Sequence, residues 1–172
     1  MVGESVIKEV KSIFDNRVMP EYLNRTHIVL IPKIQGLETL GNYKPISLCN
    51  TVYKIVTKII VACLRPYLEK LVSPLQTAFV LGRKGIDNTV IVQELLNSIS
   101  KKKGGTGYMV VKIDMDKVYD KLEWSFIREV LTKIKLLQNL LDLIMSCVSS
   151  SSSSILFNRG SLEPFLSSRG IK

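Results

Sequence analysis

Apolar residues recur at helical spacing in five segments of this 172-residue chain. The first segment covers residues 6–14 and stops before Met19-Pro20, which predicts a short amphipathic helix. The next covers residues 51–71 with a broad apolar face, in which Pro66 predicts a kink or a break. The sequence Ser73-Pro74-Leu75-Gln76 is typical of another helix start. The other three segments predict helices at residues 87–100, 124–134 and 140–148.

Extended segments are predicted in two places. Residues 26–34 indicate a strand, and residues 43–48 a shorter one that Pro45 confines to a sheet edge, so the pair predicts a basic hairpin. Near the other end, the six serines at 149–154 are compatible with a strand or with disorder. Asn158-Arg159-Gly160 is a turn signal, which predicts a hairpin that ends near Phe165.

Three carboxylates follow an apolar stretch in the second half of the chain. Residues 108–113 have the β-branched and aromatic content of a largely buried strand, which would deliver Asp114 at its end. We expect this strand to pair with an apolar strand within residues 152–165, because an unpaired apolar edge would be an aggregation hazard. Asp114 with Asp116, or with a partner elsewhere, would suit Mg²⁺, which takes one or two carboxylates together with phosphate oxygens and water. Solvated surface acids remain an alternative for an Asp-x-Asp pair, and Asp116 and Asp120 would also suit the start of the following helix.

Composition and charge narrow the class of protein. With 46% hydrophobic and 23% charged residues, the chain is expected to be globular, with at most two subdomains. Its net charge of +9 favours polyanionic partners such as nucleic acid or nucleotides.

The three cysteines and the single histidine do not form a zinc pattern, because no cysteine lies near His27 in the sequence. Since the cysteines are few and lie in apolar segments, reduced thiols are expected. The sequence shows no secretory signal and no apolar run of membrane-spanning length, so we expect an intracellular protein of the nucleus or cytoplasm.

Several short blocks, taken in order, resemble the reverse transcriptase of non-long-terminal-repeat (LINE-type) retrotransposons. The resemblance extends over about residues 23–172 and implies an α/β (α+β) fold, with fingers at residues 1–107 and a partial palm at residues 108–172 of a right-hand polymerase. The blocks are Leu30-Ile31-Pro32-Lys33, residues 42–50, Tyr53-Lys54-Ile55, residues 73–83, Asp87-Asn88 and residues 112–124.

The resemblance also implies roles for individual residues. Asp114 matches the first of three metal-binding aspartates that hold Mg²⁺ for nucleotidyl transfer. Tyr119 matches the residue whose ring packs under the incoming sugar and excludes a 2′ hydroxyl. Lys33 and Lys44 match fingers residues that would bind the triphosphate, and Arg83 lies in a block expected near the template strand.

Some positions depart from the family pattern. Lys44 stands where arginine is usual, and a point charge should bind phosphate less well than a bidentate guanidinium. Val118 stands where a small alanine is usual, in the nucleotide-binding stretch that also includes Asp116 and Lys117.

The remaining two aspartates of the family belong to a hairpin beyond Lys172, and a glutamine-glycine block normally follows Arg169-Gly170. The expectation is therefore a fragment of an RNA-directed DNA polymerase that is inactive as this chain. The partners that the resemblance implies are an RNA template, a DNA primer, deoxynucleoside triphosphates and Mg²⁺.

Two other interpretations stay open from the sequence. A basic module that only binds nucleic acid would explain the charge, and a phosphatase of the haloacid dehalogenase class also begins with an apolar strand and Asp-x-Asp. Only 58 residues follow Asp114, too few to complete the doubly wound sheet of that phosphatase class. A calcium loop is excluded, because its sixth position is Tyr119 and its twelfth is Ser125.

Overall fold

The computed structural model describes residues 2–36, 39–104, 107–115, 117–158 and 160–171. The segments whose apolar residues recur at helical spacing form helices. Short 3-10 turns are formed by Glu21–Leu23 and Leu40–Asn42. The α-helices are α1 (Val2–Asn16), α2 (Thr51–Leu71), α3 (Gly85–Lys101), α4 (Val118–Lys121), α5 (Trp124–Lys133) and α6 (Gln138–Ser149).

The strands form one mixed sheet. Within the described residues its strands are β1 (Arg25–Pro32), β2 (Tyr43–Cys49), β3 (Ser152–Phe157), β4 (Gly160–Ser161) and β5 (Phe165–Leu166). The order is β2-β1-β3-β4, and β5 also pairs with β3. β1 and β2 are antiparallel, whereas β1 and β3 are parallel.

Spatial proximity divides the chain into two compact units. The first contains residues 1–60 and 117–172, and the second contains residues 61–116, so α2 continues from one into the other. This grouping rests on proximity alone, and the boundary between fingers and palm at residue 107 stays a prediction.

The core of the first unit surrounds α6, which is buried or half-buried along most of its length. Its side chains Leu141, Leu143, Met145 and Cys147 are buried. Apolar side chains from α1, α2 and the connection before β1 complete this core; they are Ile13, Met19, Leu23, Val56 and Ile60.

Hydrogen bonds fix the connection between α1 and β1 to the end of α6. The Met19 N–H donates to the Ser146 hydroxyl at 2.8 Å. The side-chain amide of the buried Asn24 donates to the Cys147 carbonyl at 2.8 Å and to the Ser150 hydroxyl at 2.9 Å. Because these polar groups lie in the interior, their hydrogen bonds are needed to offset lost hydration.

The serine run continues α6 into a strand. Ser152 to Ser154 belong to β3, where His27 and Ser154 are direct partners in the parallel register with β1. The Ser154 hydroxyl lies 3.0 Å from His27 Nδ1. Pairing with β1 therefore outweighs the weak strand preference of serine.

Most of the predicted elements are confirmed. Helices occur where the periodicity places them, and the basic hairpin is formed by β1 and β2, with β2 and its Pro45 at the sheet edge among the described strands. The terminal hairpin is formed by β3 and β4, with Phe157 paired to Gly160; Arg159 of its turn lies outside the described residues.

Three predictions were wrong. Residues 108–114 form no strand; they are irregular and exposed, because a strand needs a neighbouring ladder, and in the described sheet β3 pairs with β1, β4 and β5 instead. The expected pairing of this stretch with residues 152–165 is therefore absent from the described sheet.

Ser73 begins a turn rather than a helix, since its carbonyl accepts from the Gln76 N–H at 3.0 Å. For Pro66 the predicted break does not occur, because α2 continues through it, and the alternative of a kink stays a prediction.

Among the described residues, no helix has both the length and the apolar character needed to cross a membrane.

Candidate functional site

The loop end of the β1–β2 hairpin brings two predicted site residues close together. Lys44 is the cross-strand partner of Ile31, and Lys33 directly follows β1. The backbone N–H of Lys33 donates to the Asn42 carbonyl at 2.9 Å, which continues the antiparallel pairing one residue beyond the strand. Both lysine side chains are exposed, so the hairpin presents two positive charges at one end.

The ammonium group of Lys33 is held near the turn. Its Nζ donates to the Gly41 carbonyl at 3.2 Å. An ammonium group has three N–H donors, so one carbonyl partner is compatible with further bonds to phosphate oxygens. The geometry therefore suits an anionic ligand that lies across the hairpin end.

Tyr119 lies on a tight turn in the first unit. Lys117 has φ of 52°, in the left-handed region, and α4 follows it with only four residues. The N–H groups of Asp120 and Lys121 donate to the Lys117 carbonyl at 3.1 and 3.2 Å. Tyr119 is 55% exposed, and Val118 beside it is partly exposed, so both can contact a ligand.

The segment of residues 169–171 contacts this turn. The Ile171 N–H donates to the Tyr119 carbonyl at 3.0 Å, and the Gly170 N–H donates to the Leu122 carbonyl at 2.8 Å. The Trp124 indole N–H donates to the Gly170 carbonyl at 2.8 Å. This contact was not anticipated from the sequence, because its partner atoms are mostly backbone groups.

Asp114 lies in the second unit, on the irregular stretch of residues 107–115, and its side chain is exposed. Asp116, its predicted companion, lies outside the described residues. No group of three histidine, cysteine or acidic side chains that could hold a metal occurs among the residues that are described. Asp114 therefore offers one carboxylate, which fits a Mg²⁺ ion only if phosphate oxygens and water complete its shell.

Arg83 also lies in the second unit, and its guanidinium is engaged by backbone carbonyls. Its NH1 donates to Ser73 at 2.6 Å and to Gln76 at 2.7 Å, and its NH2 donates to Glu69 at 3.1 Å. These bonds tie the end of α2 to the loop that precedes α3. In this arrangement Arg83 shapes that loop from within.

Burial suppresses the ionisation of two groups near α6. It raises the pKa of the Cys147 thiol to about 11 and the pKa of Tyr53 to about 12, with proximity to Cys147 and Cys49 contributing to the second shift. Since the thiolate is the nucleophilic form, Cys147 is not a reactive cysteine at neutral pH. All three cysteines are free thiols.

A shallow pocket beside β3 was not anticipated from the sequence. Its volume is about 550 Å³, and its lining includes Arg25, His27, Ser154 and Phe165. Ser154 is buried, and its hydroxyl lies within hydrogen-bonding distance of His27 Nδ1. This contact gives each of the two side chains a hydrogen-bond partner within the sheet.

Comparison with known proteins gives consistent results. The family model described as "Reverse transcriptase (RNA-dependent DNA polymerase)" matches residues 31–172. This range includes the hairpin lysines, Arg83, Asp114 and Tyr119.

Two relatives carry retrotransposon names. "Transposon TX1 uncharacterized 149 kDa protein" of Xenopus laevis is 23% identical over 171 residues, which are 99% of this chain and 13% of the relative. "Retrovirus-related Pol polyprotein from type-1 retrotransposable element R2" of Popillia japonica is 27% identical over 134 residues, which are 77% of this chain and 18% of the relative. The chain thus spans less than one fifth of the length of either protein.

Proposed function

Because the chain belongs to the reverse transcriptase family, and within it to the LINE type, we propose that it binds the incoming nucleotide of an RNA-directed DNA polymerase. The observation that carries this proposal is the hairpin end, where the fold brings Lys33 and Lys44 together within the matched region. Neither a module that only binds nucleic acid nor a phosphatase would require these reverse transcriptase sequence blocks in this order.

The hairpin lysines are proposed to bind the triphosphate. Charge-assisted hydrogen bonds to phosphate are stronger than neutral ones, and exposed ammonium groups can follow the phosphates as they bind. Lys44 offers a point charge instead of a fork, so its contribution should be smaller than that of an arginine at the same place.

The turn at Tyr119 is proposed to bind the sugar. Its ring would lie under the deoxyribose, where a 2′ hydroxyl would meet the ring and be excluded. Asp116, Lys117 and Val118 are proposed to line the same nucleotide site, and the size of Val118 would narrow it.

Asp114 is proposed as the catalytic carboxylate and a ligand of Mg²⁺. When bound, the metal would supply electrostatic stabilisation for phosphoryl transfer. The role of the Asp114 carboxylate is to place one negative charge beside the metal, whose coordination shell the nucleotide phosphates would complete. Residues 1–172 contain no two adjacent aspartates, so they do not include the pair that supplies the other two metal-binding carboxylates of the family.

RNA template and DNA primer are the proposed polymeric partners, and an intracellular location is proposed with them. The net charge of +9 supports backbone binding that weakens as salt is raised. Arg83 is proposed to act in the nucleic-acid contact through the loop that it shapes. The division into fingers (1–107) and partial palm (108–172) is part of the same proposal.

Nucleotide binding tests the proposal directly. Equilibrium dialysis with labelled dATP and Mg²⁺ would compare the wild-type chain with the double variant Lys33→Ala/Lys44→Ala. Loss of two phosphate contacts should weaken binding by about tenfold or more.

The matched control is Lys8→Ala/Lys11→Ala, which removes the same charge from exposed positions of α1, outside the family match. This control should bind dATP as the wild type does. Equal losses in both double variants would mean that only net charge matters, and the hairpin site would be rejected.

A further inference from the structure

The backbone N–H groups of residues 170 and 171 form hydrogen bonds with the turn that carries Tyr119 and with the residue just beyond it. The Ile171 N–H donates to the carbonyl of Tyr119 itself, and the Gly170 N–H donates to the carbonyl of Leu122, just beyond α4. The Gly170 carbonyl accepts from the half-buried Trp124 indole. Gly170 therefore uses both of its backbone groups to join the turn to the start of α5.

Position 170 requires glycine for steric reasons. A Cβ built there would lie 2.9 Å from the Asp120 carbonyl oxygen and 3.2 Å from both the Asp120 Cα and the Tyr119 carbonyl oxygen. These neighbours are backbone atoms, so a side chain could be accommodated only by moving the turn. The φ of Gly170, +83°, is also unfavourable for other residues.

Gly36 separates these two effects. Its φ of +75° is nearly the same, but among the described residues nothing lies within 4 Å of the place that its Cβ would occupy. An alanine at position 36 therefore has the backbone strain without the steric clash. The two glycines form a matched pair that differs in the contact with the turn.

The turn has little internal support. It begins with the left-handed Lys117, and a four-residue helix is too short to be stable by itself. The Arg169 guanidinium lies 3.9 Å from the Glu123 carboxylate, but both groups are exposed, so this pair contributes little. The close backbone contact of residues 170 and 171 is the stronger restraint.

We propose that Gly170 is a positioning residue that fixes where the Tyr119 ring lies relative to the sugar in the proposed nucleotide site. This inference rests on the proposed role of Tyr119 in contacting the sugar. It adds that sugar discrimination depends on residue 170, which lies on a different segment of the chain from the ring.

Hydrogen exchange measures the restraint without any ligand. Peptides that cover residues 118–122 should exchange about tenfold faster or more in Gly170→Ala than in the wild type, because the clash displaces the turn. In Gly36→Ala the same peptides should exchange at the wild-type rate. Equal acceleration in both variants, or none in Gly170→Ala, would overturn the proposal.

Nucleotide discrimination measures the positioning itself. The readout is the ratio of the affinities for Mg²⁺-dATP and Mg²⁺-ATP, which a loss of general stability would not change. Gly170→Ala should lower this ratio by about threefold or more, toward the value of Tyr119→Ala, as expected for a lost contact of modest size. Gly36→Ala should retain the wild-type ratio.

The two failures are distinguishable. If Tyr119→Ala lowers the ratio and Gly170→Ala does not, Gly170 has no positioning role, although the proposed function stands. If Tyr119→Ala leaves the ratio unchanged, the sugar contact is wrong and the positioning proposal is overturned with it. Faster exchange in Gly170→Ala would then show a structural contact only.

Discussion

The two compact units of the chain differ most in burial. Among the described residues, all but one of the buried apolar side chains belong to the first unit, and the exception is Val80 in the second. α3 contains no buried residue, although it is rich in valine, isoleucine and leucine. Hydrophobic burial dominates the free energy of folding, so the first unit should be far more resistant to opening than the second.

α2 shows the same contrast within one helix. Val56 and Ile60 are buried where the helix belongs to the first unit, whereas Val61 and Tyr67 are exposed in the second. Their apolar pattern is continuous, so periodicity predicts the helix correctly without predicting which part of its face is covered. Placement of the proposed nucleotide residues follows this division: the lysines and Tyr119 lie in the packed unit, and Asp114 lies in the other.

Hydrogen exchange should show the largest difference between the two units. Amides of α6 should exchange at least about a thousandfold more slowly than those of residues 107–115, because buried helix opens only with the unit and the irregular stretch is exposed. Exchange resolved by mass spectrometry at neutral pH would measure this. Slow exchange at residues 108–114 would mean that the strand expected from the sequence does form in solution.

Core truncation should give the next largest effect. Leu143→Ala removes a side chain that is 2% exposed, and we expect it to lower the free energy of unfolding by about 3 kcal/mol. Leu95→Ala in α3 is the matched control, since the same atoms are removed from an exposed position. Its cost should be about 0.5 kcal/mol or less in urea unfolding. Comparable costs would erase the contrast between the units.

Alkaline pH should weaken the packed unit by a smaller amount. The pKa of Cys147 is raised from 9.0 to about 11, so the unfolded chain loses this proton at lower pH than the folded one. Its contribution is therefore complete below pH 9 and is lost as the pH rises to about 11. Tyr53 acts in the same direction between pH 10 and about 12.

The expected slope for Cys147 is about 1 kcal/mol per pH unit within its window. Urea unfolding at pH 8, 9 and 10 would measure it, and Cys147→Ala should flatten the decline. Cys63→Ala, which changes an exposed cysteine, should leave the slope unchanged. A slope that is indifferent to Cys147→Ala would show that other groups cause the decline.

Local signals in the sequence were sufficient for most of the elements. The helices and the β1–β2 hairpin follow from apolar spacing and from Pro45, because these features act over a few residues. The stretch of residues 108–114 was mispredicted, since its composition favours a strand but a ladder needs a partner from elsewhere in the chain. Ser73 has the side chain of a helix cap, and its carbonyl instead closes a turn with Gln76.

The candidate site was predictable as a set of residues and less so as a geometry. Sequence blocks indicated Lys33 and Lys44, and the hairpin places them near each other. The bonds of Arg83 to four backbone carbonyls and the contact of Gly170 with the Tyr119 turn depend on segments that approach through the fold. No local pattern encodes such contacts, because the partner atoms are backbone groups that every residue possesses.

The assignment of Asp114 is tested most directly by primer extension. This chain would be joined to a downstream palm segment that contains two adjacent aspartates, and incorporation of dATP on an RNA template would be measured with Mg²⁺. Asp114→Asn should reduce extension by about a thousandfold or more, since it removes a metal-binding charge from the transition state. Asp15→Asn, an exposed change outside the family match, should have no effect. Undiminished extension by the Asp114→Asn chain would contradict the assignment.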